Sequence, residues 1–216
     1  YGLIDTVDEG GVTGALRGMT RPQGNGLRQL WLDSQGGWEL DLVLAYRLGR
    51  YSDDYRAAIH YLNGDRAAGA LYELRASIHW YNVEEARIEA VMRSLSDADC
   101  ALLQGMRGWE ETRDTVRDNL GGTDLSVFNA LEQGRYARAD ALRMRDRIRE
   151  ARQAGDQDAL NTVLAEYGRK PAPDQFGGQN ISAAERRRQV QREFAHIQGV
   201  VAVENGGTIT EAQAQE

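Results

Sequence analysis

The chain has a single cysteine, Cys100, among its 216 residues, so it can hold neither an intramolecular disulfide nor a multi-cysteine zinc site. Proline is almost as scarce: Pro22 sits at a helix start, and Pro171 and Pro173 share one short glycine-containing stretch. Lys170 is the only lysine among 26 basic residues, an arginine bias common in proteins from GC-rich bacterial genomes. Positive charge is outweighed, and a net charge of -7 argues against general attraction to nucleic acid, since phosphate binding needs a positive surface. No apolar run approaches the roughly 18 residues that a membrane span requires. The opening, YGLIDTVDEGG, lacks the basic and apolar regions of a signal peptide. There is no G-x-S-x-G elbow, H-E-x-x-H pair, Walker loop or dinucleotide-type glycine pattern. The three histidines stand apart, and His60 and His79 lie in apolar runs, where they read as core or boundary residues. The sequence therefore assigns no catalytic residue, cofactor or metal ligand.

What the chain does have is an internal repeat built of helices. Val7-Asp8-Glu9 and Val83-Glu84-Glu85 each open an apolar helical run. With that pairing Val12 falls on Ile88, Ala15 on Val91, Met19 on Leu95, Thr20 on Ser96 and Leu27 on Leu103, all at the same offset. Further on, Asp54 and Gly64 fall on Asp124 and Gly134. A period of roughly 70 to 76 residues marks a repeat architecture, and apolar and charged shares of 41% and 27% suit a soluble globular protein. The spacing predicts an all-α fold of about two units, roughly Asp5 to Asp65 and Arg66 to Gly134, plus a partial third, with Ile59 and Phe128 at equivalent buried positions.

Local signals place the helices. Gly10 to Met19 is a weak helix, since each of its glycines costs up to about 1 kcal/mol against alanine. Thr20 caps a second helix that ends at Gly36-Gly37. Trp38 to Leu48, closed by Gly49, is apolar enough to be the most buried helix of the first unit. Ser52 caps a helix ending at Asn63-Gly64, and Ala67 to Trp80 is a longer one. Glu84 to Leu95, a helix from the Ser96 cap to Gly108, Trp109 to Leu120, a helix capped by Thr123 or Asp124 and ended by Gly134, and Tyr136 to Ala151 follow. Asp156 to Tyr167 and Ala183 to Gln198 are further helices. Residues 169–180 read as a linker. The tail, 203–216, has too little apolar surface to offset its ordering entropy.

Several residue groups have simple structural readings. Asp53-Asp54, Glu84-Glu85 and Glu110-Glu111 lie at helix starts, where the helix dipole accounts for them. Arginines at 143, 145, 147, 149 and 152, and Arg186-Arg187-Arg188, are interleaved with Asp140, Asp146, Glu150 and Glu185 and read as a solvated face. Trp31, Trp38, Trp80 and Trp109 sit near helix ends as packing anchors.

The order of parts resembles the annexin repeat, a unit of five helices in which a capped turn leads into a helix of the kind SGDFRNALLSLxxGD. The matching residues are Ser52, Asp53, Asp54, Tyr55, Arg56, Ala58, Ile59, Leu62, Gly64 and Asp65, and again Thr123, Asp124, Phe128, Ala130, Leu131 and Gly134. The likeness covers about residues 5 to 168. Annexins bind calcium and acidic membranes through a G-x-G-T loop and an acidic residue further along the repeat. The loops at Leu3 to Glu9, His79 to Glu85 and Gln153 to Asp158 are not G-x-G-T, so no metal is expected. Among annexin-like sequences this one is most similar to divergent bacterial repeats found in large proteins, including toxin-like cargo of contractile injection particles.

The resemblance implies an annexin-like repeat domain over 1–168, a linker over 169–180, an additional helix over 181–202 and a tail over 203–216. It implies a non-catalytic structural or interaction domain of a larger bacterial protein, partnered by other domains of its parent polypeptide or by another protein. No nucleic-acid partner is expected. The location implied is the bacterial cytoplasm, with export by a route that uses no signal peptide. A peripheral membrane-surface module of annexin type and an enzyme with an unrecognised site are the alternative readings.

Overall fold

A computed structural model describes residues 8–34, 37–79, 82–156, 158–159, 162, 188–189, 191–193 and 195. The chain divides into two compact units, Tyr1–Leu120 and Gly121–Glu216. The described residues of both are mostly helical, and no helix among them is long and apolar enough to cross a membrane.

The first unit contains α1 (Glu9–Leu16), α2 (Arg21–Ser34), α3 (Leu40–Leu48), α4 (Asp53–Leu62), α5 (Arg66–Ala76), α6 (Glu85–Ser94), α7 (Asp97–Gln104) and α8 (Trp109–Asn119). The α4–α5 hairpin is central. α1, α2 and α3 pack against α4, while α6, α7 and α8 pack against α5. The sequence explains why the hairpin takes this place. α4 buries Ala57, Ala58, Tyr61 and Leu62, and α5 buries Ala70, Leu71 and Leu74. Small residues let the two backbones approach: a Cβ added at Gly69 would run into the Tyr61 ring. Gly64, with φ 77°, makes the turn in a left-handed conformation that favours glycine. There Gly64 N–H donates to the Tyr61 carbonyl and Asp65 N–H to the His60 carbonyl, the paired bonds of a Schellman stop.

α2 is held on the end of α4 by a close approach and two arginines. A Cβ at Gly24 would collide with the Leu62 carbonyl, so only glycine fits. Arg21 donates to the Asn63 carbonyl, and Arg28 donates to the Asn63 side chain while pairing with Asp41 of α3 at 2.7 Å. Both cations thus lie at the negative end of α4.

In the second unit, α9 (Gly122–Glu132) and α10 (Tyr136–Gln153) pack together, burying Val127, Phe128 and Leu131 of one and Ala139, Leu142 and Ile148 of the other. Gly134, at φ 69°, repeats the turn of Gly64. Its N–H donates to the Leu131 carbonyl and that of Arg135 to the Ala130 carbonyl, the same two bonds that Gly64 and Asp65 make to Tyr61 and His60.

Several expectations need correction. α5 stops at Ala76 instead of Trp80, because the Ser77 hydroxyl turns back onto the Glu73 carbonyl and the Ser77 carbonyl accepts from Glu84 N–H. Ile78–His79, where helix was expected, instead pairs antiparallel with Asn82–Val83 as a short β1–β2 element. α7 ends at Gln104, with Gly105 as its cap, well before Gly108. α3 is not the most buried helix of its unit: it buries only Leu40, Leu44 and Leu48, and leaves Leu42 and Tyr46 exposed. The helix after Leu120 is capped at Gly121, because Thr123 accepts from Arg145 and Asp124 pairs with Arg143 at 2.6 Å. Ile59 is only half-buried, and Ala58 is the residue that matches Phe128 in burial.

The linker 169–180 and the tail 203–216 lie outside the described residues, as do residues 3–7, 80–81 and most of the helices expected at 156–167 and 183–198.

Candidate functional site

Two features of the first unit combine chemistry-bearing residues, and they differ in whether anything is left for a ligand. One is an ionic cluster around Glu73. This carboxylate lies on the apolar stripe of α5 and is completely buried. Thr13 Oγ1 donates to its Oε1 at 2.7 Å, Tyr61 Oη to its Oε2 at 2.7 Å, and Arg17 bridges both oxygens at 2.7 and 3.1 Å. Arg87 adds a bond at 3.2 Å and also pairs with Asp54 and with Glu84. Burial pushes the Glu73 carboxyl up, but the hydrogen bonds from Arg17, Thr13 and Tyr61 and the charge of Arg17 outweigh it, holding the group below the usual carboxylate range. Burial, followed by the Glu73 charge, raises the Tyr61 phenol well above its ordinary value. Burial lowers Arg87, yet its bond to Asp54 and the charges of Asp54 and Glu73 leave it raised.

Such a cluster joins α1, α4, α5 and α6. Both carboxylate oxygens of Glu73 are engaged and held charged, which is the wrong state for a general acid and a weak one for a base. Asp54 and Glu84, expected to serve helix dipoles alone, also carry ion pairs here. The sequence signal was a glutamate in line with Ala70 and Leu74 on an otherwise apolar face, but its partners Thr13 and Arg17 are 60 and 56 residues away.

The other feature is an open cleft of about 630 Å3 among α1, α2 and α3. Val12, Leu16, Leu27, Trp31, Leu44 and Leu48 line it, nearly all of the wall being apolar. Trp38, also on the lining, is 68% exposed, so it is no packing anchor; Trp109, at 2%, is one. The Trp31 indole N–H is buried with no acceptor among the described residues. Arg47 borders the cleft, is exposed, and forms no ion pair among the described residues. An apolar hollow with one unpaired cation at its edge has the make-up of a binding site, where polar groups few in number fix orientation.

The remaining sequence candidates are not brought together. His79 lies 3.3 Å from Glu84, and His60 stacks on Tyr72 with ring centroids 5.4 Å apart. No group of three or more metal-ligating side chains occurs among the described residues. The arginines of α10 are interleaved with acids as expected, Arg149 pairing with Asp146 at 2.8 Å.

Comparison of the chain with protein-family models, with curated proteins and with solved structures finds no match.

Proposed function

We propose that this chain is a non-catalytic interaction domain of annexin-like repeat type within a larger bacterial protein, and that it holds a partner polypeptide in the cleft bounded by α1, α2 and α3. The observation that carries this reading is the cleft itself: about 630 Å3 of apolar hollow with Trp38 standing 68% exposed on its lining. An apolar hollow with few polar groups on its wall has the ordinary make-up of a binding site. The repeat reading is supported by local geometry that recurs at the sequence period. The Thr20 hydroxyl and N–H both donate to Gln23, and one period on the Ser96 hydroxyl and N–H both donate to Asp99. The Gly64 turn recurs in the same way at Gly134. The ionic cluster supports the non-catalytic part, since every member of it is engaged inside the fold.

Replacing Trp38 by a photo-crosslinking benzoylphenylalanine in the cells that make this protein tests the reading, with the same group at exposed Glu110 as control. A polypeptide adduct identified by mass spectrometry at position 38 and missing at position 110 is the expected result. Adducts confined to lipid, or equal at both positions, would count against it.

A further inference from the structure

α3 and α8 hold matching places in the repeat, and their outward faces differ in kind. Leu40, Leu44 and Leu48 are buried on α3, and Thr112, Val116 and Leu120 are buried at the same spacing on and just after α8. Aligned on these, the exposed acids Glu110, Asp114 and Asp118 of α8 stand where α3 and the residue before its cap have Trp38, Leu42 and Tyr46. Leu42 is 58% and Tyr46 85% exposed, and neither lines the cleft. Among the described residues, six of the seven exposed large apolar side chains fall between Leu30 and Tyr51, so the feature belongs to this edge of the unit and not to its surface in general. Trp, Tyr and Leu in place of Glu and Asp is the change in composition that separates the centre of a protein interface from surface that faces water.

We propose that the outer face of α3 is a contact between two copies of this chain, the two α3 helices lying antiparallel about a two-fold axis at Leu42. The charges on the helix choose this occupant and this direction. Glu39 caps the start of α3 and Arg47 lies in its last turn. Both are exposed, and neither forms an ion pair among the described residues. At 100° per residue Glu39 and Arg47 fall on the same flank of the stripe made by Leu42 and Tyr46. When identical helices meet antiparallel across a two-fold axis, each flank faces the same flank of the partner, with its ends exchanged. Glu39 of each copy then comes beside Arg47 of the other, and the pair forms twice. The stripe matches itself in the same way: Leu42 meets its own copy at the axis, and Trp38 meets Tyr46. A parallel pairing would instead set Glu39 beside Glu39 and Arg47 beside Arg47. The inference goes beyond the cleft reading and does not rest on it, because Leu42 and Tyr46 point away from the cleft wall.

Sedimentation equilibrium of the full chain, from about 10 μM to about 1 mM, reads the association. A helix of nine residues offers less than the about 800 Å2 per partner of a standard interface, so a dimer with a dissociation constant of about 10 to 100 μM is expected. Leu42→Asp with Tyr46→Asp, which gives α3 the residues that α8 has at these places, should leave only monomer. Both side chains are exposed, so the melting temperature of dilute protein should not change. Glu39→Arg alone and Arg47→Glu alone should each weaken the dimer about five- to tenfold, since two exposed ion pairs become like-charge contacts. The two together should restore it, a recovery that no loss of folding could produce. A chain that stays monomeric up to about 1 mM, the limit of specific affinity, overturns the proposal. So does association that survives Leu42→Asp with Tyr46→Asp, which places the contact on another face. Failure of the charge exchange to restore the dimer overturns it as well, because the antiparallel arrangement requires that recovery. None of these results bears on the cleft, which the adduct to a different polypeptide at position 38 decides.

Discussion

Glu73 is the residue on which the first unit's polar interior depends, and its charge has a direct consequence for stability. Because its folded carboxyl titrates below the unfolded value, the folded state binds fewer protons there. The contribution is thus present above the ordinary glutamate value of about 4.3 and is lost as pH falls through the lower folded value. Tyr61 acts in the opposite sense. Its folded phenol is raised, so its contribution is complete below the ordinary value of about 10 and fades as pH rises beyond it. Urea melts across the pH range should therefore show a plateau with an acid and an alkaline limb, Glu73→Gln flattening the first and Tyr61→Phe the second. At neutral pH, Glu73→Gln should cost about 3 kcal/mol, because it leaves Arg17 largely buried without its counter-charge, while Arg87 keeps Asp54 and Glu84. An unchanged midpoint would mean that water reaches these groups freely. Nothing in the local sequence distinguishes Glu73 from the solvated acids around it except its place on an apolar stripe.

Caps and glycines set the elements. α7 is only eight residues long and starts with a reciprocal box, the Ser96 hydroxyl accepting from Asp99 N–H while Asp99 accepts from Ser96 N–H. Ser96→Ala should cost about 1 kcal/mol in a urea melt, and a loss below a few tenths would show that packing alone holds α7. Gly24→Ala should cost about 1 to 3 kcal/mol, since the obstacle is the Leu62 backbone and cannot swing aside as a side-chain tip would. At this scale the sequence was informative. Ser52 and Ser96 as starts, and Gly49, Gly64 and Gly134 as stops, stand where they were expected because capping is decided within a few residues. It misled where a competing bond came from outside the element. α5 is cut short by Ser77 and its bond from Glu84, and α9 begins early because arginines of α10 occupy the side chains of Thr123 and Asp124.

For the molecule as a whole, the first unit closes its own core. Leu16, Leu44, Leu48, Ala58, Tyr61 and Leu62 form one buried cluster supplied by α1, α3 and α4. Residues 8–120 expressed alone should accordingly give a helical circular dichroism spectrum and one cooperative urea transition. A gradual, non-cooperative loss of signal would show that the unit does not stand alone. The sequence by itself determined the helical class and most helix boundaries, since helical periodicity, caps and glycine turns are encoded in neighbours. It also excluded an intramolecular disulfide and the common catalytic motifs by the residues it lacks. Which residues meet was decided only by the tertiary structure. Thr13, Arg17, Tyr61, Glu73 and Arg87 are scattered along the chain and converge because the α4–α5 hairpin brings α1 and α6 to the same side chain. The cleft arises the same way: Val12 and Ile88 look alike in sequence, and one is open and the other sealed because α5 lies over α6, while no described helix lies in the cleft that Val12 lines.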